Sequence, residues 1–301
     1  MRPRSRGSKI ALVLLLFFVS TRNVKKEKTM SKAKIFQIYY DDRSKCKLDD
    51  GFLALDNSFL KNDGWYEFSP IFNYFELNSI EDDVWYGFLS PKFKSKTGCD
   101  STYVRQFLDH APKKAEVAIF SPGWDQLSYF VNPWEQGEVW HPTIGQITEK
   151  FLVATQRNAN LRDVVTDVTT SVFSNYFIAK KRFWMAWLEI AKDFKQFVTL
   201  NDEFNTLLVS YGSAQNQAHM KTFIQERLAS YLLATGDYFT ITSTRLLTRP
   251  VIHRLFPHGD ADRKLFLLCD RLKRLYRKTH NKAYLDSFYL TRQQITFKRP
   301  Y

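Results

Sequence analysis

A chain of 301 residues, 44% of them hydrophobic, has enough apolar mass for a substantial core, as one large domain or two small ones. Its few glycines and prolines exclude a fibrous or low-complexity chain, and Cys46, Cys99 and Cys269 are too scattered for a metal site or a disulfide framework, which suits a reducing compartment. The net charge of +13 sits at the ends, +7 in residues 1–30 and +10 in residues 245–301, which leaves −4 for 31–244 and argues against a nucleic-acid surface on the main domain.

Residues 1–30 open with a basic stretch and an apolar run, Ile10–Val19, shorter than the ~20 residues that cross a bilayer. No small-x-small cleavage site follows it. Lys25-Lys26-Glu27-Lys28-Thr29 precedes Met30, and purine-only codons for that run would make a ribosome-binding site. A mis-assigned start at Met1, with translation beginning at Met30, therefore stands beside a signal sequence or an anchor. Downstream, Lys34–Tyr40 alternates as a strand ending in Asp41-Asp42, and Trp65, Phe68, Phe72 and Phe75 give Gly64–Asn78 a helical spacing. A strand at Val84–Ser90, a helix at Ser101–His110 capped by Asp100 or Ser101, and a buried strand at Ala115–Pro122 come next.

Strand, helix, strand, helix, strand predicts an α/β sheet over 31–245. The segment 132–142, "NPWEQGEVWHP", reads as a shaped loop because Gly137 and the bounding Pro133 and Pro142 oppose a regular helix. A helix at Pro142–Ala154, a strand at Ser171–Lys180, a long amphipathic helix from Lys181, a second long helix over His219–Thr235 and a strand at Asp237–Thr244 complete this part. The basic extension, 246–301, holds a helix with Leu265, Leu268, Leu272 and Leu275 on one stripe. That helix docks on the domain or lies on an anionic membrane surface.

No Walker loop, G-x-G-x-x-G, H-E-x-x-H or G-x-S-x-G occurs. Ligands of open α/β sheets bind beyond the carboxyl ends of the strands, which directs attention to Tyr39, Tyr40 and Asp41 after the first strand and to Trp124 and Asp125 after the third. Glu81-Asp82-Asp83 is a metal or ribose contact or a solvated acidic turn. In the loop, the rings of Trp134 and Trp140 suit the apolar face of a sugar, and Glu135, Glu138 and His141 suit its hydroxyls or a general base. Their spacing is not diagnostic of a metal, and a surface loop pinned by two buried tryptophans is the plainer alternative. Glu226-Arg227, inside the expected second helix, reads as a structural pair.

"KIFQIYYDD", "WYGFLSPKF", "AIFSPGWDQ", "EQGEVWHP", "SNYFIAKKRFW" and "FIQERLASYLLAT", in that order over about residues 34–235, resemble glycosyltransferase-like proteins of bacterial capsule and lipopolysaccharide clusters. The resemblance implies a single GT-A-like (Rossmann-like) domain with a mixed central sheet, plus the basic helical extension. It also implies a nucleotide-sugar donor, a glycan acceptor and a cytoplasmic site that includes peripheral contact with the inner membrane face. It places Tyr39, Tyr40, Asp41 and Asp83 at the donor, Trp124, Trp134 and Trp140 at the acceptor, and Asp125, Glu135, Glu138 and His141 at the chemistry. Such folds hold Mn or Mg through Asp-x-Asp; here only Asp41-Asp42 and Glu81-Asp82-Asp83 approximate it. That departure keeps open a non-catalytic carbohydrate-binding or assembly protein on the same fold. No motif specifies donor sugar, acceptor, linkage or stereochemistry.

Overall fold

The computed structural model describes residues 31–59, 64–211, 213–252 and 254–299. The leader expected for residues 1–30 lies outside them. In chain order come β1 (Ala33–Tyr39), α1 (Asp42–Lys45), β2 (Leu53–Asp56), α2 (Phe68–Leu77), β3 (Trp85–Leu89), α3 (Phe93–Thr97) and α4 (Ser101–Asp109). β4 (Val117–Ile119) leads into α5 (Trp124–Tyr129), α6 (Pro133–Trp140) and α7 (Ile144–Ala154), and β5 (Phe177–Ala179) into α8 (Lys181–Leu200). α9 (Asp202–Thr206), the hairpin β6 (Leu208–Tyr211) and β7 (Ser213–His219), α10 (Met220–Gln225), α11 (Leu228–Thr235) and β8 (Thr240–Thr242) follow, then α12 (Arg263–Thr279) and α13 (Lys282–Arg292).

Six strands form one mixed sheet in the order β2-β1-β3-β5-β4-β8, flanked by helices in a Rossmann-like α/β arrangement. β5 runs antiparallel to both neighbours, and every other pairing is parallel. The chain leaves β1 on one side to form β2 and returns on the other to form β3. The strand order therefore reverses between β1 and β3, where such sheets open a crevice at their carboxyl ends.

Successive strand residues feed opposite faces. Tyr86 and Phe88, Val117 and Ile119, and Phe177 join one core with α2, α7, α8, α10 and α11; Trp85, Leu89, Ala118 and Ile178 join the other with α4. Gly87 interrupts β3 because a Cβ there would lie 2.7 Å from Ile178 Cγ1.

A third core holds the basic extension against α5. Trp124, Leu127 and Val131 pack on Leu255, Phe256, Phe266, Cys269, Phe288 and Ile295. α12 docks through part of the expected stripe: Leu265 and Leu272 pack against this core, Leu268 is 42% exposed, and Phe266, Cys269, Asp270 and Lys273 are the buried residues. The buried charges are partnered. Lys273 Nζ donates to the carbonyls of Leu127 and Phe130, both at 2.5 Å, and satisfies acceptors that the end of α5 leaves open. Asp270 Oδ1 accepts from Val168 N at 2.9 Å, and Arg277 Nη1 donates to the fully buried Asp167 at 2.8 Å. Among the described residues no helix is long and apolar enough to cross a membrane.

Three expectations about elements change. The segment 132–142 is not a loop: Asn132 Oδ1 accepts from Trp134 N and Glu135 N, Pro133 takes the first turn where no N–H is needed, and α6 runs to Trp140. Gly137 is a packing gap rather than a breaker, because a Cβ there would lie 2.8 Å from Ile144 Cγ2. The strand expected at 171–180 shortens to β5, since Ser174 and Asn175 adopt φ of 59° and 54° and turn the chain. The single helix expected at 219–235 is two, α10 and α11, with Glu226 and Arg227 at the break and His219 in β7.

Candidate functional site

A cavity of about 980 Å³ opens where the strand order reverses, beyond the carboxyl ends of β1 and β3. That volume suits a small-molecule or nucleotide ligand. Tyr40 and Asp41 reach it from β1, Ser90, Lys92, Lys94 and Lys96 from β3 and α3, and Arg43 and Lys47 from α1 and the turn after it. Tyr66, Glu67, Ser174, Phe223 and Glu226 complete the wall.

The five cations are exposed and the two glutamates half-buried, which gives a basic rim around an acidic floor. Lys96 is steered inward: its Nζ donates to Ser174 Oγ at 2.9 Å and lies 5.6 Å from the Tyr176 ring centroid. The chain between the two basic ends is net acidic, so five cations around one cavity are a local concentration.

Glu226 accepts no hydrogen bond among the described residues, and its neighbour in sequence is engaged elsewhere. Arg227 donates to the carbonyls of Pro133 and Phe223 and to Gln136 Oε1, at 2.9, 2.7 and 3.0 Å. The structural pair expected of Glu226-Arg227 is therefore split, one side chain in the wall between α6 and α10 and the other in the cavity. Burial and the charge of Glu67 push the Glu226 carboxyl up to about 7, against the pull of Arg227 and Lys96. Burial, then Glu67, raises the Tyr40 phenol well above its ordinary range.

Strain gathers at the same cavity. Tyr66 (φ 49°), Ser174 and Asn175 are non-glycine residues in the left-handed region, where a bulky side chain is uncommon. Backbone of this kind persists where surrounding structure over-determines it, and it clusters at ligand sites.

The residues singled out from the sequence divide. Tyr40 and Asp41 line the cavity. Tyr39 does not; its ring lies 5.3 Å from Lys45 Nζ, and its hydroxyl is held by Asp56. Asp83 precedes β3, at the opposite edge of the sheet, 3.3 Å from Lys180 Nζ. Neither lines the cavity, against the expectation for both.

None of the eighteen lining residues comes from 124–141. Asp125, 1% exposed, accepts from Ile252 N at 2.7 Å and anchors the extension. Trp124 and Trp134 are 2% and 3% exposed; Trp124 Nε1 donates to Arg249 O, and Trp134 packs edge-on to Tyr231. Trp140 lies under the Arg254 guanidinium, 4.6 Å from its ring centroid. Glu135 accepts from Arg292 at 2.7 and 2.9 Å and ties α6 to α13, while Glu138 accepts from Thr143 N and Gly145 N at the start of α7. Glu135, Glu138 and Trp134 border a second cavity of about 780 Å³.

His141 comes nearest to the β1/β3 cavity, stacked 3.6 Å from Phe223 and backing its wall. Burial, then Arg227, pushes its imidazole down to about 3, so it is neutral at ordinary pH. The expected convergence of the Trp/Glu segment with the tip of β1 does not occur, because α5 and α6 turn away to receive α12 and α13.

Asp125 thus has a structural consequence. Asp125→Ala leaves the part-buried Ile252 N–H without its acceptor and is expected to cost about 1 kcal/mol or a little more. Thermal melting checks this; an unchanged midpoint refutes the anchoring role.

Lys92, Lys94, Lys96, Glu67 and Glu226 were missed from the sequence. A signal was present in "SPKFKSK", lysines at every second position directly after a buried strand. No family model, curated protein or solved structure matches the chain.

Proposed function

We propose that this chain is a glycosyltransferase with a GT-A-like domain, moving a sugar from a nucleotide-sugar donor to a growing bacterial surface polysaccharide. The observation that carries the reading is the β1/β3 cavity, with five cations at its rim and Glu67 and Glu226 at its floor, at the sheet's reversal point. A nucleoside diphosphate brings negative charge for the rim, and a sugar brings hydroxyls for the floor.

In the reaction, an acceptor hydroxyl oxygen bonds to the anomeric carbon while the bond from that carbon to the donor phosphate breaks. The leaving diphosphate takes the bonding electron pair, and Lys92, Lys94 and Lys96 stabilise its charge. The acceptor proton goes to Glu226, whose carboxyl is poised near neutral pH where a general base is most effective. Tyr40 and Tyr66 offer ring faces to the base or sugar.

Calorimetric titration with a panel of nucleoside diphosphates, followed by hydrolysis assays on the matching nucleotide sugars, tests the reading. At least one diphosphate is expected to bind, and Lys96→Ala to weaken it by about tenfold, the scale of one charge-assisted hydrogen bond. Binding without turnover on any donor would favour a non-catalytic carbohydrate-binding protein. Failure of the whole panel to bind would remove the reading.

A further inference from the structure

Resting on that reading, we infer that the β1/β3 cavity neutralises the phosphates of its ligand with its own lysine and arginine side chains, and binds them without a divalent cation. Divalent Mg or Mn is held by oxygen ligands, chiefly carboxylates, brought together with room for the metal. The carboxylates expected to do so are dispersed or already engaged. Asp41 Oδ1 caps α1, accepting from Ser44 N and Ser44 Oγ, both at 2.7 Å. Asp42 is exposed in the first turn of α1 and is not among the residues lining the cavity.

The Glu81-Asp82-Asp83 run sits before β3, at the other edge of the sheet. There each acid meets a lysine: Glu81 with Lys34, Asp82 with Lys181 and Asp83 with Lys180, at 2.6, 3.0 and 3.3 Å. Glu67 and Glu226 do line the cavity, but Glu226 holds its proton up to about neutral pH, which weakens it as a ligand for a hard cation. Among the described residues no three of His, Cys, Asp and Glu come together as a metal-binding group. The donor set does not fit Mg or Mn.

The cations fit a phosphate instead. Lys92, Lys94 and Lys96 occupy alternate positions on the α3 side, and Arg43 and Lys47 come from α1 and its turn, so positive charge comes from two elements of the wall. Lys96 is already oriented by Ser174, which lowers the entropy lost when it closes on a phosphate oxygen. Attraction of this kind is screened by salt, whereas inner-sphere metal coordination is far less so. The rim is therefore a charge clamp assembled by the fold.

The experiment is calorimetric titration of the full chain with the nucleoside diphosphate that binds best, once in EDTA and once with excess manganese. The expected result is a Kd that agrees within about threefold between the two buffers and weakens as sodium chloride is raised. In EDTA, the double variant Lys92→Gln/Lys96→Gln is expected to lose at least about tenfold in affinity. Both side chains are exposed, so its thermal midpoint should match the parent and separates lost binding from lost folding.

Binding seen only with manganese overturns the clamp and leaves the proposed function standing. An unchanged EDTA affinity in the folded double variant also overturns the clamp alone. Absence of binding in both buffers for the entire diphosphate panel overturns the clamp and the function together.

Discussion

Glu226→Gln is expected to raise the thermal midpoint at pH 8 by several degrees while abolishing the proposed sugar transfer. Burial and Glu67 raise the carboxyl from an ordinary 4.5 to about 7 in the folded chain. Between those values the folded state holds a proton that the unfolded state has released, so stability falls as pH rises through that window. Above it the folded chain carries a charge that it disfavours. The upper bound is about 3 kcal/mol from the size of the shift, and about 2 kcal/mol is expected because the cavity admits water. Glutamine keeps the shape without the charge, so the variant's advantage should be largest at pH 8 and fade towards pH 4.5.

Loss of the base should lower transfer by about 10²–10⁴-fold, with diphosphate affinity retained. In the parent, transfer should rise with pH through about 7 as the base form appears. Melting curves at the two pH values and a transfer assay read all of this together. A lower midpoint at pH 8 would mean that Glu226 has a stabilising partner, and undiminished transfer would place the base elsewhere.

Asp167→Ala is expected to be strongly destabilising, costing about 3–5 kcal/mol by leaving Arg277 without its buried partner. For a chain of this size that is on the order of 10 °C in midpoint. Burial alone would raise the Asp167 carboxyl, but the Arg277 guanidinium and the Thr169 hydroxyl and N–H outweigh it and hold the carboxyl below its ordinary 3.8.

The sign follows from that direction. The contribution is fully present above the unfolded value and is lost as pH falls through the folded one. The gap between variant and parent should therefore be wide at pH 7 and narrow in strong acid. Limited proteolysis should cut the variant first in the α12–α13 hairpin, because Asp167, Asp270 and Lys273 are its polar anchors. A midpoint within a degree or two of the parent at pH 7 would show that the third core holds the hairpin unaided.

Local pattern was enough wherever one element's chemistry stood alone. Alternation in 34–40, and the short apolar runs within 84–89 and 117–120, specify β1, β3 and β4 because a strand's burial is written in its own residues. Asp100 and the Trp/Phe periodicities specify α4, α2 and α8 for the same reason, and the rule that ligands lie past the carboxyl ends of strands pointed to Tyr40 and Asp41, which line the β1/β3 cavity. What 132–142 becomes is not local. Its proline and glycine read as breakers until Asn132 supplies a cap and the approach of Ile144 makes Gly137 a necessity.

The same holds for Glu226, whose role depends on facing Glu67, 159 positions earlier, rather than Arg227 beside it. Which acids became site and which became anchors was decided by the docking of α12 and α13, which claimed Asp125 and Glu135 and left the cations beyond β3 facing an open cavity. The chain's own periodicities determined most of the strands and helices, because those depend on neighbours three or four residues away, but not α6, β5 or the α10–α11 break. The site was left to tertiary packing, because charge and burial at any carboxylate are set by whatever distant segment folds against it.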